Sequence, residues 1–468
     1  MGEKPSFGYR GHLMLLVTIA LGMFLDGLDG TIVNVALPDI SESFAIDSSM
    51  SSWIVTIYFL VLAGLVLIFG KLCDSGAIKS ILVAGFVTFS LASLACGLSN
   101  SIGLLLAFRA VQGIGASMLA ASSIMLSVRF LPTNMTSFGL GVGLLGSSIG
   151  AAIGPALGGI LAETISWHWI FFINVPVGLV AALVAMKAIP KDTGFDRSEF
   201  DYKGSVMLFL SLVTGLYALE SFPSHGITTI TVVSLVLFVI LFSAFVLYER
   251  RVSLPVLKLS LFRGRSFVAV TVSFLIMNAC YMGCLYLLPY FMRVELGFDT
   301  IRCGLFLLIM AVMTLIFCLK IGKMADIRGN RPFVIAGFAV LVVAMAIFCI
   351  ISAEMPVWVL VIGLVLLGTV WGVAGGPIGS RLIDNVPPEE RGSGSSMLSF
   401  FIYFGSALGT ALFAGLFGFG SASAGQPIAD LDQAVFMDGF TFAMMFGAVL
   451  AVVGLTLSCA INERRLQA

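Results

Sequence analysis

The sequence is poor in charged residues and in histidine. Asp, Glu, Lys and Arg make up 11% of its 468 residues, and His occurs three times. A soluble globular domain carries about 25% charged residues, so the composition excludes that class. The 25 basic and 25 acidic residues give a formal net charge of zero, and no nucleic-acid partner is expected.

The chain also lacks the sequence patterns of metal, redox and nucleotide sites. None of its eight Cys stands in a CxxC spacing or beside a His. The thiols are therefore expected to pack between helices rather than to hold a metal or form disulfides. No P-loop lysine motif occurs, so ATP-driven transport has no support. No cofactor is expected.

Two glycine patterns of soluble enzymes occur, but in the wrong context. Gly141 to Gly146 satisfies GxGxxG, and Gly146 to Gly150 satisfies GxSxG. Each pattern needs a turn from a strand into a helix to bind a nucleotide or present a nucleophile. Both lie inside an apolar run with no strand predicted before them, so no enzymatic activity is predicted.

What the chain does have is a series of long apolar runs. Hydrophobic residues make up 59% of it, and windows of about 20 apolar residues are long enough to cross a bilayer. Fourteen such windows predict an all-α, multi-pass membrane protein. The predicted spans are 13–37, 50–70, 78–98, 101–129, 135–161, 168–189, 204–221, 227–248, 267–291, 302–322, 332–352, 355–380, 393–418 and 437–461.

The basic residues divide unequally between the two sides that these spans define. With the amino terminus inside, 22 of the 25 Lys and Arg fall on inner loops and ends. Arg293 and Arg302 fall on outer loops, and Arg109 lies within the fourth span. Since Lys and Arg are enriched in cytoplasmic loops, this distribution predicts a cell-membrane protein with both termini cytoplasmic.

A short motif occurs twice on the predicted inner side, and its residues Gly70, Asp74, Gly322 and Asp326 are assigned to gating. The segment from Gly70 to Asp74 follows the second span, and the segment from Gly322 to Asp326 follows the tenth, 252 residues later. That offset exceeds what six spans need. Spans seven and eight are therefore interpreted as an insertion between two repeated six-helix halves, an organisation typical of transporters. The predicted units are 1–190, 191–265 and 266–468.

Two aspartates in the first span are the leading site candidates. Asp26 and Asp29 are three residues apart, so they share one face of a helix. A carboxylate at membrane depth costs about 2.5–3.5 kcal/mol and usually faces a wet cavity where it has a function. Two carboxyl groups one turn apart resist simultaneous ionisation, which suits a site where a proton and a cationic substrate compete.

Arg109 is the one basic residue deep within a predicted span. A buried cation needs a partner, and the first helix is the expected source. Gln112, one helical turn further on, is expected to join the same network through neutral hydrogen bonds. A structural tether remains the alternative to a role in proton coupling. Glu220, at the end of the seventh span, is equally consistent with a solvated helix end.

Several segments resemble the fourteen-helix drug:proton antiporter branch of the major facilitator superfamily, over nearly the whole chain. The segment from Leu28 to Pro38 is similar to the first-helix motif of that branch, with Asp29 as its aspartate, and the segment from Arg109 to Gly115 is similar to the fourth-helix motif. The resemblance implies the major facilitator fold, with two six-helix bundles plus two extra helices between them. It also implies a role for Arg109 in proton relay.

The loop after the second span matches the superfamily less closely. The segment from Gly70 to Lys79 resembles its motif between helices two and three, but Ser75 stands in place of the usual Arg and Ala77 in place of the usual Gly. The gate is therefore expected to be held by fewer ion pairs than usual.

The most specific match lies in the fifth span and resembles a motif associated with antiporters. Glycine at every fourth residue makes a smooth strip for the close approach of another helix, and a proline removes a hydrogen bond and bends the helix. A tight contact with a bend suits a helix that seals two rocking halves, whereas ordinary glycine packing is the alternative. The motif residues are Gly146, Gly150, Gly154, Pro155, Gly158 and Gly159.

A substrate pocket is expected to draw on polar and aromatic residues of both halves. The second half has no acidic residue in mid-span, so its contribution is expected to be apolar and weakly polar. Flexible and aromatic side chains repack around varied ligands, whereas core or lipid-facing packing is the alternative for each residue. The candidates are Asn34, Tyr58, Asn278, Tyr281 and Tyr286.

These features predict a monomeric, proton-coupled antiporter that exports amphipathic, cationic compounds across the lipid bilayer. The first alternative is a proton-coupled symporter that imports a small organic metabolite, since the segment from Asp26 to Asp29 also resembles helix one of some organic-acid and sugar carriers in the same superfamily. The second is a non-transporting membrane sensor or scaffold, which would not need the repeated gate motifs.

Overall fold

The computed structural model describes residues 9–132, 135–190, 192, 201–225, 228–252, 255–257, 259–385, 391–422 and 426–460. Within these ranges the regular structure is helical throughout. The α-helices are α1 Tyr9–Phe44, α2 Ser48–Asp74, α3 Ile78–Gly97, α4 Ile102–Phe130, α5 Thr136–Thr164, α6 Trp169–Phe172, α7 Asn174–Ala188, α8 Tyr202–His225, α9 Thr229–Glu249, α10 Arg265–Val294, α11 Thr300–Arg328, α12 Arg331–Ile350, α13 Val357–Val370, α14 Gly376–Asp384, α15 Arg391–Ser421 and α16 Gln433–Cys459.

In the described part of the chain, fourteen helical segments are long and apolar enough to cross a membrane, which confirms the predicted number. Two of these segments contain more than one helix. The first joins α6 to α7 over Trp169–Ala188, and the second joins α13 to α14 over Val357–Asp384. The junction in the second segment is a π-helical turn, Trp371–Gly375.

The helices extend further than their apolar windows. The first predicted span ends at residue 37, but α1 continues past Pro38 to Phe44. The extra turns are polar, and their side chains find partners across the protein, as Asp39 does in an ion pair with Arg293. Hydropathy marks the part of a helix that contacts lipid, and it misses polar turns that pack against protein.

The helices pack as two groups with a pair between them. Helices α1 to α7 pack mainly with one another and form the first bundle, and α10 to α16 form the second bundle. Helices α8 and α9 are the inserted pair. Helix α8 contacts α2 and α15, while α9 is largely exposed along its apolar length. The exact boundaries at 190/191 and 265/266 stay a prediction.

Both bundles contact each other along a seam. Helix α2 packs on α15, and α5 packs on α11. The near face is defined here as the membrane face at which α1 begins, and the far face as the opposite one, where α1 ends and α2 starts. The aspartates of α1 lie between these faces.

Candidate functional site

Asp29 forms an ion pair with Arg109 in the interior of the first bundle. Arg109 Nη1 lies 2.6 Å from Asp29 Oδ2, and the exposed fractions of the two side chains are 1% and 0%. Arg109 Nε also donates a hydrogen bond to the carbonyl oxygen of Ile54 in α2, at 2.9 Å. The cation therefore links α4 to both α1 and α2.

Neutral amides complete the coordination of Asp29. Gln112 Nε2 donates to Asp29 Oδ1 at 2.8 Å, and Asn174 Nδ2 of α7 donates to the same oxygen at 3.2 Å. Gln112 also accepts a hydrogen bond from Arg109 at 2.7 Å and donates to Ser93 at 2.8 Å. Both carboxylate oxygens of Asp29 are thus occupied, and its charge is balanced.

An aromatic wall covers the cation of this pair. The Arg109 guanidinium carbon lies 4.3 Å from the centre of the Tyr58 ring and 5.9 Å from that of Phe171. Such cation–π contacts contribute about 2 kcal/mol when desolvated. The Tyr58 hydroxyl, by contrast, has no hydrogen-bond partner in the described part of the protein.

Asp26 has a different environment from Asp29, although both are on α1. Its side chain is 6% exposed, and Asp26 Oδ2 accepts a hydrogen bond from the Tyr403 hydroxyl of α15 at 2.9 Å. Asp26 Oδ1 has no hydrogen-bond partner among the described residues, and no Lys or Arg there forms an ion pair with it. Asp26 therefore contacts the second bundle as a buried carboxyl group without a counter-charge.

The difference between the two aspartates is electrostatic. An isolated carboxylate in a low-dielectric interior is costly, so a buried group without a cation favours its neutral, protonated form or a cationic ligand. Asp29 has Arg109 and two amides to stabilise its charge. Asp26 has one phenolic hydroxyl and one free oxygen, an arrangement that can bind a proton or a cation.

The glycine strip of α5 lies against α1. A Cβ atom at Gly146 would be 2.5 Å from the Ala20 carbonyl oxygen, and one at Gly158 would be 2.8 Å from the Ile32 carbonyl oxygen. Between these two points, Gly150 and Gly154 are equally crowded by the α1 backbone and the Thr31 hydroxyl. The expected close approach is present, and its partner is a helix of the same bundle.

Pro155 leaves a helical carbonyl without its usual donor, and Thr31 fills the gap. Proline has no N–H, so the carbonyl oxygen of Ala151, four residues earlier, loses its helical hydrogen bond. Thr31 Oγ1 of α1 lies 3.2 Å from that oxygen and also 3.2 Å from the Gly27 carbonyl oxygen of its own helix, so its one proton is divided between the two acceptors. Helix α5 runs through Pro155 from Thr136 to Thr164, with this hydroxyl beside the free acceptor.

The end of the same motif contacts the second bundle. A Cβ at Gly159 would lie 2.5 Å from the carbonyl oxygen of Thr300 in α11. A Cβ at Gly304 would collide with the carbonyl oxygen of Pro155. The α5 motif therefore has two roles in packing, since most of it binds α1 and its far-face end approaches α11 backbone to backbone.

Tyrosines of α10 close the far face on a serine-rich turn of α2. Tyr286 donates to the carbonyl oxygen of Ser48 at 2.7 Å. The Tyr290 hydroxyl lies 2.5 Å from Ser51 Oγ and 2.7 Å from Ser41 Oγ. Tyr286 was predicted to line the substrate pocket. Its hydroxyl instead binds the start of α2 at the far face.

Charged groups extend this closure. Arg293 Nη1 lies 2.6 Å from Asp39, and Nη2 lies 3.3 Å from Glu42. Thr300 Oγ1 donates to Asp39 at 3.0 Å, and the Thr300 N–H donates to Glu163 at 3.0 Å. The two bundles are therefore joined at the far face through α1, α5, α10 and α11.

The residues of the repeated motif, which were predicted to act in gating, lie at the near face. Gly70 is buried in α2, Asp74 is the exposed last residue of that helix, and Gly322 is an exposed residue of α11. Arg129 of α4 donates to the backbone carbonyl of Asp74 at 3.1 Å. The side chain of Asp326 lies outside the described part of the structure.

The described contacts do not join the other pocket candidates in one site. Asn34 donates to the Gly30 carbonyl at 3.1 Å, and Asn278 donates to the Phe274 carbonyl at 3.1 Å, so each amide is engaged with its own helix. The Tyr281 ring lies 5.9 Å from that of Trp371. Of the five candidates, the described contacts bring Tyr58 to the acid site, where its ring covers Arg109.

Two contacts of the aspartates, Asp29 with Asn174 and Asp26 with Tyr403, were not predicted, although Tyr403 had been considered for the pocket. Asn174 and Tyr403 lie 145 and 377 residues from the acids that they contact, and neither has a charge that would have drawn attention. Glu220 was expected to be equally consistent with a solvated helix end. It is fully buried and accepts a hydrogen bond from Ser52 of α2.

Comparison with known proteins adds independent evidence. The model of the Major Facilitator Superfamily matches residues 19–410. The riboflavin transporter RibZ of Clostridioides difficile (strain 630) is 29% identical over 86% of this chain and 88% of that protein. The multidrug resistance protein Stp of Mycobacterium tuberculosis (strain ATCC 25618 / H37Rv) is 29% identical over 86% of this chain and 75% of that protein.

The fold is also similar to solved transporter structures. A D-xylose–proton symporter superposes with a TM-score of 0.66, covering 97% of this chain and 98% of that one, at 14% sequence identity. At that identity the similarity concerns the fold alone. The match to this family and to a protein named as a riboflavin transporter confirms the prediction that the chain is a transporter and not an enzyme. A family model matches most of its length, and the described part of the chain contains fourteen apolar helical segments, arranged as two bundles with a pair between them, so the chain belongs to the Major Facilitator Superfamily.

Proposed function

We propose that this protein is a proton-coupled antiporter that exports amphipathic, cationic compounds. The single observation that carries this proposal is Asp26, a buried carboxyl group at the contact between the bundles, one of whose oxygens has no hydrogen-bond partner in the part of the chain that the structure describes. In such a site a proton and an organic cation compete for the same negative charge. Exchange follows if the protein reorients only when one of them is bound.

Asp26 is the exchanging group, and Asp29 supports it. Asp29 is saturated by Arg109, Gln112 and Asn174, so its charge is stabilised in place. When Asp26 releases its proton one helical turn away, the two carboxylates repel each other, and Arg109 limits that repulsion. The pair of acids with Arg109 and Gln112 forms the coupling unit, and Asp26 alone is free to take the cation.

Tyr403 makes the exchange depend on conformation. Its hydroxyl donates to Asp26 from α15 of the second bundle, and its ring stacks on Phe59 of α2 at 6.4 Å. When the bundles rock apart at this contact, Asp26 loses its hydrogen bond and its shield from solvent. The occupancy of Asp26 and the geometry of the seam are thereby linked.

The near face is the cytoplasmic face in this proposal, and the membrane is the cell membrane. The bias of 22 of 25 basic residues toward the side of the termini supports this orientation. The gating motifs then lie on the cytoplasmic side, and the closure around Tyr286, Tyr290 and Arg293 lies on the outside. A site closed to the outside is ready to load a compound from within. The transporter acts as a monomer, since both bundles that form the site belong to one chain.

A second candidate is proton-coupled import of a small organic metabolite. It is favoured by the similarity to a protein named as a riboflavin transporter, because riboflavin is a neutral heteroaromatic compound. A neutral cargo would need Asp26 as a hydrogen-bond acceptor and proton carrier rather than as a counter-charge.

Inverted membrane vesicles distinguish the two candidates. Vesicles containing the protein are energised to an acidic interior, and the internal pH is followed while a lipophilic cation, riboflavin or an organic acid is added. Antiport predicts that the cation dissipates the gradient. If riboflavin or an organic acid is instead co-transported with protons while the cation has no effect, symport replaces antiport. No response to any compound would favour the non-transporting alternative.

A further inference from the structure

Two buried carboxyl groups meet at the near-face end of the inserted pair, apart from the Asp26 site. Asp201 immediately precedes α8 and Glu249 is the last residue of α9. Their exposed fractions are 6% and 4%. Acidic side chains are almost never buried to this extent without a partner, so the pair requires an explanation that packing does not give.

One oxygen of each carboxyl group caps the backbone. Asp201 Oδ1 accepts the N–H of Gly204 at 2.9 Å, and Glu249 Oε1 accepts the N–H of Leu257 at 2.6 Å. The other oxygens, Asp201 Oδ2 and Glu249 Oε2, have no hydrogen-bond partner among the described residues. A Cβ atom at Gly204 would collide with Asp201 Oδ2 and lie 2.8 Å from Glu249 Oε2. The two free oxygens therefore converge on one point.

Within the described part of the chain, no positive charge compensates this pair. The Tyr248 hydroxyl is a titratable group that interacts with both Asp201 and Glu249. Lys203, Arg250 and Arg251 are near in sequence, but they are exposed. Among the described residues, no Lys, Arg or His forms an ion pair with either acid. Two adjacent buried carboxylates cannot both remain ionised without a cation between them.

We propose that Asp201 and Glu249 share a single proton, as a carboxylic acid that donates a hydrogen bond to a carboxylate. A proton satisfies both free oxygens at once and removes one of the two charges. A divalent metal fits less well, because it takes six or more oxygen ligands and only two oxygens are free. The described residues also contain no group of three or more His, Cys, Asp or Glu that could hold a metal.

The shared proton stabilises the attachment of the segment that joins α9 to α10, in which Pro255 and Leu257 make the contacts. Glu249 holds Leu257 through its N–H, and Lys71 of the near-face motif donates to the Pro255 carbonyl at 3.1 Å. The linker is thus attached to the gate of the first bundle at one point and to the acid pair two residues later. Loss of the proton sets two negative charges against each other and loosens this attachment. The pair is a proton-binding clamp, and it is independent of the exchange at Asp26.

The first test is thermal unfolding of the purified full-length protein between about pH 5 and about pH 8, the range over which an ordinary exposed carboxyl group is already ionised. The folded protein holds a proton there that the unfolded chain has lost, so its stability must fall as the pH rises. We expect Glu249→Gln and Asp201→Asn, which mimic the protonated member, each to reduce this fall in Tm by roughly 2–4 °C. Glu354→Gln, at an exposed acid, is the matched control and should leave it unchanged.

The second test does not depend on stability. The infrared band of a protonated carboxyl group at neutral pH should lose intensity in Glu249→Gln and keep it in Glu354→Gln. An unchanged band together with an unchanged pH profile of Tm would overturn the proposal. A Tm increase caused by Mg²⁺, Ca²⁺ or Na⁺ in the unmodified protein but not in Asp201→Asn would also overturn it, since a metal ion would then occupy the pair.

Discussion

The Thr31 hydroxyl lies 3.2 Å from the carbonyl oxygen of Ala151, which is the acceptor that Pro155 leaves without a helical donor. The hydroxyl shares its proton between this oxygen and the Gly27 carbonyl of α1, also at 3.2 Å, so it links α1 to α5 at the residue where α5 lacks a helical hydrogen bond. The same helix α1 presents Asp26 and Asp29. The glycine motif of α5 thus packs against the helix that carries the acids.

Replacement of Thr31 tests the contribution of this contact between α1 and α5. Thr31→Val keeps the branched shape but removes the hydroxyl, so the Ala151 carbonyl remains unsatisfied in an apolar surrounding. Interhelical hydrogen bonds in membranes contribute about 0.6 kcal/mol on average and up to about 1.7 kcal/mol, and we expect a loss within that range. Unfolding in detergent measures it, with Thr31→Ser as the control that keeps the hydroxyl. Equal stability of the Val and Ser variants would show that the contact has no energetic role.

The glycine strip offers a matched pair of substitutions on one helix. At Gly150 a Cβ would collide with the Phe24 carbonyl oxygen, whereas at Gly141 it would meet nothing within 4 Å. Since Ala stabilises a helix by up to about 1 kcal/mol over Gly where space allows, Gly141→Ala should keep or raise Tm. Gly150→Ala should lower Tm and transport, because α1 must move away. Similar behaviour of the two variants in unfolding and transport assays would contradict the packing described here.

The ion pair of Arg109 and Asp29 predicts strong coupling between two substitutions. Asp29→Asn leaves a buried cation without its counter-charge, which costs about 3–5 kcal/mol. We expect that variant to be inserted in the membrane but less stable, and to lose proton-driven transport. Normal gradient-driven efflux by Asp29→Asn would remove Asp29 from the mechanism.

The double variant Asp29→Asn with Arg109→Gln supplies the control for this pair. It has no unpaired charge, so its loss of stability should be well below the sum of the two single losses. Unfolding of the four proteins in parallel gives the coupling energy. If the losses of stability in the two single variants add up to the loss in the double variant, the ion pair of Arg109 and Asp29 contributes little to stability.

The far-face closure predicts a change in solvent access. Arg293→Gln removes two ion pairs between the bundles, with Asp39 at 2.6 Å and Glu42 at 3.3 Å. Hydrogen–deuterium exchange at the start of α2 should then become faster, because the closed state is less favoured. Arg302→Gln is the control, since Arg302 contacts Asp299 on its own helix. If hydrogen–deuterium exchange in both variants is as slow as in the unmodified protein, the ion pairs of Arg293 do not hold the far face closed.

Much of the fold could be predicted from local sequence, because a bilayer requires about 20 apolar residues in every crossing. The fourteen crossings followed from hydropathy. The helix ends did not, since the last turns of α1 are polar and are stabilised by distant partners such as Arg293. Long-range packing, not composition, decides where such a helix stops.

Only part of the candidate site could be predicted from the sequence. Asp26, Asp29 and Arg109 stand out because charge is rare in an apolar span, and the structure brings Arg109 to Asp29 rather than to Asp26. That choice depends on how α4 faces α1, which no local pattern encodes. Tyr403 is one of nine Tyr residues, and its contact with Asp26 depends on the packing of two bundles.

The most direct measurement of the central claim is proton flux through Asp26→Asn. The protein is placed in inverted vesicles with an acidic interior, and a lipophilic cation is added. Among the described residues Asp26 has no cationic partner, so the amide should leave Tm unchanged or raise it. We expect this folded variant to dissipate no gradient, while Glu354→Gln dissipates it as the unmodified protein does. Full dissipation by Asp26→Asn would contradict the account, since the exchanging carboxyl group would then lie elsewhere.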